Sequence, residues 1–196
     1  MKRAWTRFWA SVSLLQLAAS GAAPQTKTLR KPVASVRAAE SRLAGLLPGQ
    51  TLLKRAETLL GAPQERDARS SSARWDHCSD DLIAEADSAG VIQTIRVTRH
   101  LGQQRPRDCA AADPPASWAT GKGLRLGDSA KRVEGLYGKP DSVSPSTKGG
   151  QRLELLYYAF DWVGPDVPQV MEVVCTVAKN GVPGRVVEIT LAASSL

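Results

Sequence analysis

The feature that most constrains this chain is a motif it states twice. Gly45-Leu46-Leu47-Pro48-Gly49-Gln50-Thr51 is answered by Gly123-Leu124-Arg125-Leu126-Gly127-Asp128-Ser129, and each run leads into a helix-like segment that stops at Gly-x-Pro. The first segment carries Leu53, Ala56, Leu59, Leu60, Gly61 and Pro63; the second carries Ala130, Val133, Leu136, Tyr137, Gly138 and Pro140. Apolar residues at helical spacing behind a Ser or Thr read as a capped amphipathic helix. Glycine tolerates the positive φ of a helix stop and proline cannot continue the helix, so Gly-x-Pro terminates it. Thr51 is the expected cap of the first helix, and Asp128 or Ser129 that of the second.

Strand-like segments follow each helix. They are Arg74–Cys78, Leu82–Asp87 and Val91–Thr98 after the first, and Arg152–Phe160, Val170–Ala178 and Arg185–Ala192 after the second. Asn180-Gly181 between two β-rich runs is a hairpin signal. Leu82, Ala84 and Ala86 align with Val173, Cys175 and Val177, and Ile95 and Val97 with Ile189 and Leu191. Alternation predicts one apolar sheet face for the helix and one open polar face carrying Arg96 and Glu188. The expected fold is α+β: two tandem repeats, each a short helix packed on a small antiparallel β-sheet. The expected organisation is a signal peptide at 1–23, a basic arm at 24–44, repeat one at 45–100, a linker at 101–122 and repeat two at 123–196.

The leader reading rests on Lys2, Arg3 and Arg7, a mostly apolar stretch from Phe8 to Ala19, and small residues at 20–23. It predicts a periplasmic or secreted protein without stable membrane insertion after cleavage. The net charge of +7 belongs entirely to residues 1–48, since from residue 49 onward 18 Lys and Arg balance 18 Asp and Glu. A near-neutral folded part argues against a nucleic-acid partner. Export permits a disulfide, and Cys78 and Cys109 flank the first set of strands, so they are assigned as the pair. Cys175 lies in the apolar run Val173–Val177, where a small buried thiol packs well.

Gly49, Thr51, Leu59, Gly61 and Pro63, repeated as Gly127, Ser129, Leu136, Gly138 and Pro140, carry a family resemblance. The pattern resembles repeats of the beta-lactamase-inhibitor-protein-like fold, which small lipoproteins of the outer-membrane assembly machinery share. The resemblance implies an exported, non-enzymatic protein that binds other proteins through its sheet surface and loops, without a cofactor. The lipid-bearing cysteine of the lipoprotein branch has no counterpart in the leader, and lactamase inhibition does not carry over.

Candidate chemistry is sparse. Gly127-Asp128-Ser129 matches a serine-esterase nucleophile block, but both histidines, His77 and His100, precede the serine, whereas that family places its base near the C-terminus. Asp76, His77, Cys78, Asp80 and Asp81 form the densest cluster of ligand-type side chains. Neighbours on a strand point to opposite faces, so a metal site is not assigned. Aromatic side chains and Arg dominate protein-binding hot spots. Trp75, Tyr158, Phe160 and Trp162, with Arg96 and Glu188, are therefore the expected contact residues for an unidentified protein partner of the bacterial cell envelope. The alternative is a small hydrolase or metal-dependent enzyme built on Asp76, His77 and Asp80.

Overall fold

A computed structural model describes residues 39–67, 69, 71–102, 115, 117–160 and 169–193. The order of elements is α1 (Leu53–Leu60), β1 (Glu65–Asp67), β2 (Ser72–His77), β3 (Asp80–Ala86), β4 (Ile92–Arg99), α2 (Ala130–Tyr137), β5 (Ser142–Lys148), β6 (Gln151–Phe160), β7 (Gln169–Thr176) and β8 (Val186–Ala192). All eight strands join one antiparallel sheet in the order β1-β2-β3-β4-β8-β7-β6-β5. This overturns the expectation of two tandem repeats, each with its own small sheet. The cause is the pairing of β4 with β8, Thr94 opposite Ala192 through Thr98 opposite Glu188, which merges the two sets of strands. Two of the strands, β1 and β5, were also not expected.

The apolar side of the sheet is continuous. Leu82, Ala84, Ile95, Val97, Val173, Cys175, Ile189 and Leu191 are all fully buried in a single core with residues of α1, α2 and the segments before them. Ala86 is half-buried and Val177 is exposed, so the alternation ends earlier than the sequence suggested. Leu59, expected on the buried stripe, faces solvent, while Ala56, Leu53 and Leu60 carry the contact of α1. In α2 that part falls to Val133 and Tyr137, with Leu136 packed at the margin.

Helices of eight residues are too short to persist alone, and the sheet holds both ends of each. Leu53 N–H donates to the Gly90 carbonyl at 2.9 Å, and Ala130 N–H to the Gly184 carbonyl at 2.9 Å. At the other ends the stop glycines Gly61 and Gly138 have φ of 88° and 77°. Trp75 Nε1 donates to the Gly61 carbonyl at 2.9 Å, and Tyr158 Oη to the Gly138 carbonyl at 3.2 Å. Two core aromatics thus hook the helix ends onto β2 and β6. Ser129 caps α2, its Oγ accepting from Arg132 N–H at 3.3 Å. Thr51 does not cap α1: one extra residue puts Leu52 at that position, and Thr51 Oγ1 accepts from Leu47 N–H instead.

The end of the expected basic arm and the end of the expected linker belong to the core layer. Ala44 N–H donates to Ala119 and Gly121 N–H to Arg42, tying the two stretches side by side. Glu40, 3% exposed, fastens them. Its Oε1 accepts from the N–H groups of Ser41 and Arg42, and its Oε2 from Lys122 N–H and Tyr137 Oη at 2.8 Å. Thr120 Oγ1 meets the same tyrosine at 2.6 Å. Burial pushes the Tyr137 phenol well above its ordinary range, so it stays a neutral donor. A Cβ at Gly121 would lie 2.6 Å from Glu40 Oε1, which explains glycine at that position.

Cys78 is disulfide-bonded, and its expected partner Cys109 lies outside the described residues. Cys175 is a free, buried thiol whose pKa is pushed up to about 12 by burial, with the Glu154 charge adding to it. No helix among the described residues is long and apolar enough to cross a membrane.

Three outcomes follow from this packing. Removing a buried carboxylate that accepts four hydrogen bonds leaves its donors unmet, so Glu40→Ala should cost about 3 kcal/mol in chemical denaturation. Tyr158→Phe, which keeps the ring and loses one hydrogen bond, should cost about 1 kcal/mol and speed amide exchange at the end of α2 before anywhere else. Native protein should take up no iodoacetamide at pH 8. Unfolded but unreduced protein should be labelled at Cys175 alone, with a peptide map linking Cys78 to Cys109.

Candidate functional site

With one face of the sheet covered by the helices, the other face is where chemistry could meet a partner. Strand alternation and register define its rows. The central row runs Arg74, Ile83, Arg96, Thr190, Glu172, Tyr157 and Ser142 across β2, β3, β4, β8, β7, β6 and β5. On one side lie Glu85, Thr94, Ala192, Val170 and Ala159; on the other lie Asp76, Asp81, Thr98, Glu188, Val174 and Leu155.

Most charges toward the β1–β4 end are already matched. Arg74 meets Asp81 at 3.2 Å and Glu65 at 3.3 Å; its Nε lies 2.8 Å from Asp76 but out of line for a hydrogen bond. His100 Nε2 lies 2.5 Å from the same Asp81. At the centre Thr98 donates to Glu188 at 2.8 Å, and the Lys148 ammonium contacts both. Arg96 is different. It is half-buried on β4 and its Nε is buried without a hydrogen-bond partner.

The Lys148 contact reshapes this face. β5 is three strands from β8, which a flat sheet would place about 14 Å away. For Lys148 to touch Glu188 and Thr98, the sheet has to curl so that the tip of the β5–β6 hairpin comes over the open face, with β6 still laddered to β7 from Leu153 to Phe160. There lies a second, separate apolar cluster, in which Leu153 of β6 meets Val174 and Val187, flanked by Leu101 and by Leu155 of β6. Val187 reaches that cluster because the ladder slips between Val174 and Cys175, leaving an extra residue on β8 that turns its side chain away from the main core.

The residues singled out from sequence divide sharply. Trp75, Tyr158 and Phe160 are buried on the helix side, where Tyr158 and Phe160 stack with centroids 6.0 Å apart. They are core residues and cannot be the contact surface expected of them. The reason is the alternation that buries Leu82 and Ile95: extended to β2 and β6, it would have placed these rings inside. Trp162 lies outside the described residues. Arg96 and Glu188 lie on the open face, and Glu188 is committed to Lys148.

The cluster behind the hydrolase alternative does not converge. Asp76 is exposed on the open face, while His77 and Asp80 face the helix side. Asp80 is fully buried and held by Arg99, whose Nε and Nη2 lie 2.8 and 3.0 Å from its two oxygens. His77 packs edge-on against Trp118. Ser129 is a helix cap. Among the described residues no three His, Cys, Asp or Glu side chains are grouped to hold a metal ion.

No family model matches the chain, and no curated protein does. Among solved structures, the crystal structure of a DUF4309 family protein (YjgB) from Bacillus subtilis subsp. subtilis str. 168, at 2.13 Å resolution, is similar with a TM-score of 0.45. The two chains are 13% identical over 79% of this chain and 88% of that one. A likeness of this size carries no argument about what the protein does.

Proposed function

We propose that this chain is an exported, non-enzymatic protein-binding or scaffolding module of the bacterial cell envelope, which engages a protein partner through the open face of its sheet. The observation that carries the reading is Arg96. It stands in the middle strand pair of that face with its Nε buried and unpartnered, while Arg74, Lys148 and Arg99 all have carboxylates. A cation left unmatched at the centre of a sheet face is the kind of anchor on which protein interfaces concentrate their affinity. Ile83, Thr94, Thr190, Ala192 and Val170 around it are small or apolar, which suits close approach by another chain. The resemblance to the beta-lactamase-inhibitor-protein-like fold points the same way, and so does the leader read at 1–23. The hydrolase alternative has less support, since Asp80 is spent on Arg99 and faces away from Asp76.

A photo-crosslinking residue placed at Thr190 tests this in the native envelope fraction, with the same residue at Lys131 on the exposed side of α2 as control. The expected outcome is a discrete crosslinked protein from position 190 and none from position 131. Arg96→Ala in the Thr190 background should lower the yield by about tenfold, as loss of an interface anchor does, without moving the melting temperature. Equal yields from both positions would remove the open face as the binding surface.

A further inference from the structure

We propose that β5 and the tip of the β5–β6 hairpin form a strap across the open face, latched by Lys148, and that its opening and closing gates access to Arg96 and Thr190. The strap itself stands on geometry alone; its role as a gate rests on reading the open face as the binding surface.

The strap is an outlier in how it is held. β5 lies at the sheet edge, and its ladder runs to β6 only. Its side chains are mostly exposed, and Pro145 in its middle has no N–H to give. The tip turns through Gly149 and Gly150, both at positive φ, so the turn itself offers little stiffness. What brings the tip over the face is the Lys148 ammonium on Glu188 and Thr98, with Gly149 alongside the Leu101 carbonyl. These anchors adjoin the proposed contact residues: Glu188 is two positions from Thr190 on β8, and Thr98 two from Arg96 on β4, on the same face.

The floor beneath the strap is built for closure. Leu153, from β6 of the hairpin itself, is buried there against Val174 of β7 and Val187 of β8, although all three belong to the side of the sheet away from the helices. Val187 is delivered by the irregularity in β8, at the expense of one regular ladder pair. Three buried side chains with two at the margin form a small seal beside the twenty-five residues of the main core. Local opening draws on elements with few apolar contacts and exposed backbone pairing; β5 and the tip have both, whereas β6 stays laddered to β7 with Leu156, Tyr158 and Phe160 in the main core. The latch is an ion pair with Lys148 one-third exposed, so added salt screens it, as it does not screen apolar packing.

Hydrogen exchange by mass spectrometry on the full chain tests the latch, comparing wild type with Lys148→Met and Lys148→Arg. In Lys148→Met, amides of residues 143–152 should exchange at least roughly tenfold faster, with β2, β3 and both helices unchanged, and Lys148→Arg should restore protection. No change would overturn the latch, and a uniform rise over the whole sheet would reduce Lys148 to general structural support and overturn it equally. The gate is read by the crosslinker at Thr190, whose yield should rise at least roughly threefold in Lys148→Met as the closed fraction falls. Selective exchange with no rise in yield overturns the gate and leaves the binding face standing. Selective exchange with no crosslink from position 190 in any variant overturns the binding face and the gate with it, and leaves the strap.

Discussion

The ladder between Thr94–Thr98 and Glu188–Ala192 is where the first four strands meet the last four, and most of the structure follows from it. A four-stranded sheet with one eight-residue helix is below the size at which a single core gives reliable stability. Pairing β4 with β8 removes two raw edges at once and brings Ile95 and Val97 against Leu191 and Ile189, all fully buried. The apolar layer then runs unbroken from Trp75 on β2 to Phe160 on β6. The open face inherits the same continuity, which is why Arg96 and Thr190, distant in sequence, lie side by side.

The covering layer depends on polar fastening more than on helix propensity. Each helix is held at its first N–H and its final carbonyl by groups on or beside the sheet, so short helices are sufficient. Glu40 plays the corresponding part for the irregular segments, collecting three donors from the two stretches that precede the helices and a fourth from Tyr137 of α2. A buried carboxylate is costly unless its lone pairs are met, and here they are. The same arrangement fixes Tyr137, which joins Glu40 to Thr120 and to the aromatic group of Tyr158 and Phe160.

Much of this was legible in the residues. The two Gly-x-Pro stops, the Ser129 cap and six of the eight strands follow from local chemistry that acts within a few positions. β1 and β5 were not legible, because Glu-Arg-Asp and Ser-Val-Ser-Pro-Ser-Thr-Lys carry no alternation; edge strands have one ladder and little to bury. Nor could the merger of the sheets be read, since the pairing of β4 with β8 joins residues almost a hundred positions apart and leaves no local mark. The aromatics show a different failure. Trp75, Tyr158 and Phe160 were judged by residue type as surface anchors, although their spacing from Ala73 and Leu156 placed them on the buried side. Arg96 was named from the alternation of β4, but its unmet Nε is a property of neighbours on β3 and β8 that the sequence does not position.

On the proposed reading, the two edges of the sheet explain why recognition would fall to its face. An open edge invites a further strand, and proteins suppress that hazard by shortening or interrupting it. β1 has three residues, each charged, and β5 carries Pro145 and ends in a lysine drawn inward over the sheet. Strand addition at either end would have to displace these features. The open face offers the opposite balance: its backbone groups are already paired, so a partner gives up no ladder to bind there, and affinity has to come from side chains. Among the described residues Arg96 has a buried Nε with neither a hydrogen bond nor a carboxylate beside it, and it stands two positions along β4 from the Thr98 that Lys148 contacts. On the proposed reading, such a surface would discriminate by what a partner brings to one half-buried guanidinium and a shallow row of small residues, which is a demand on shape and charge together.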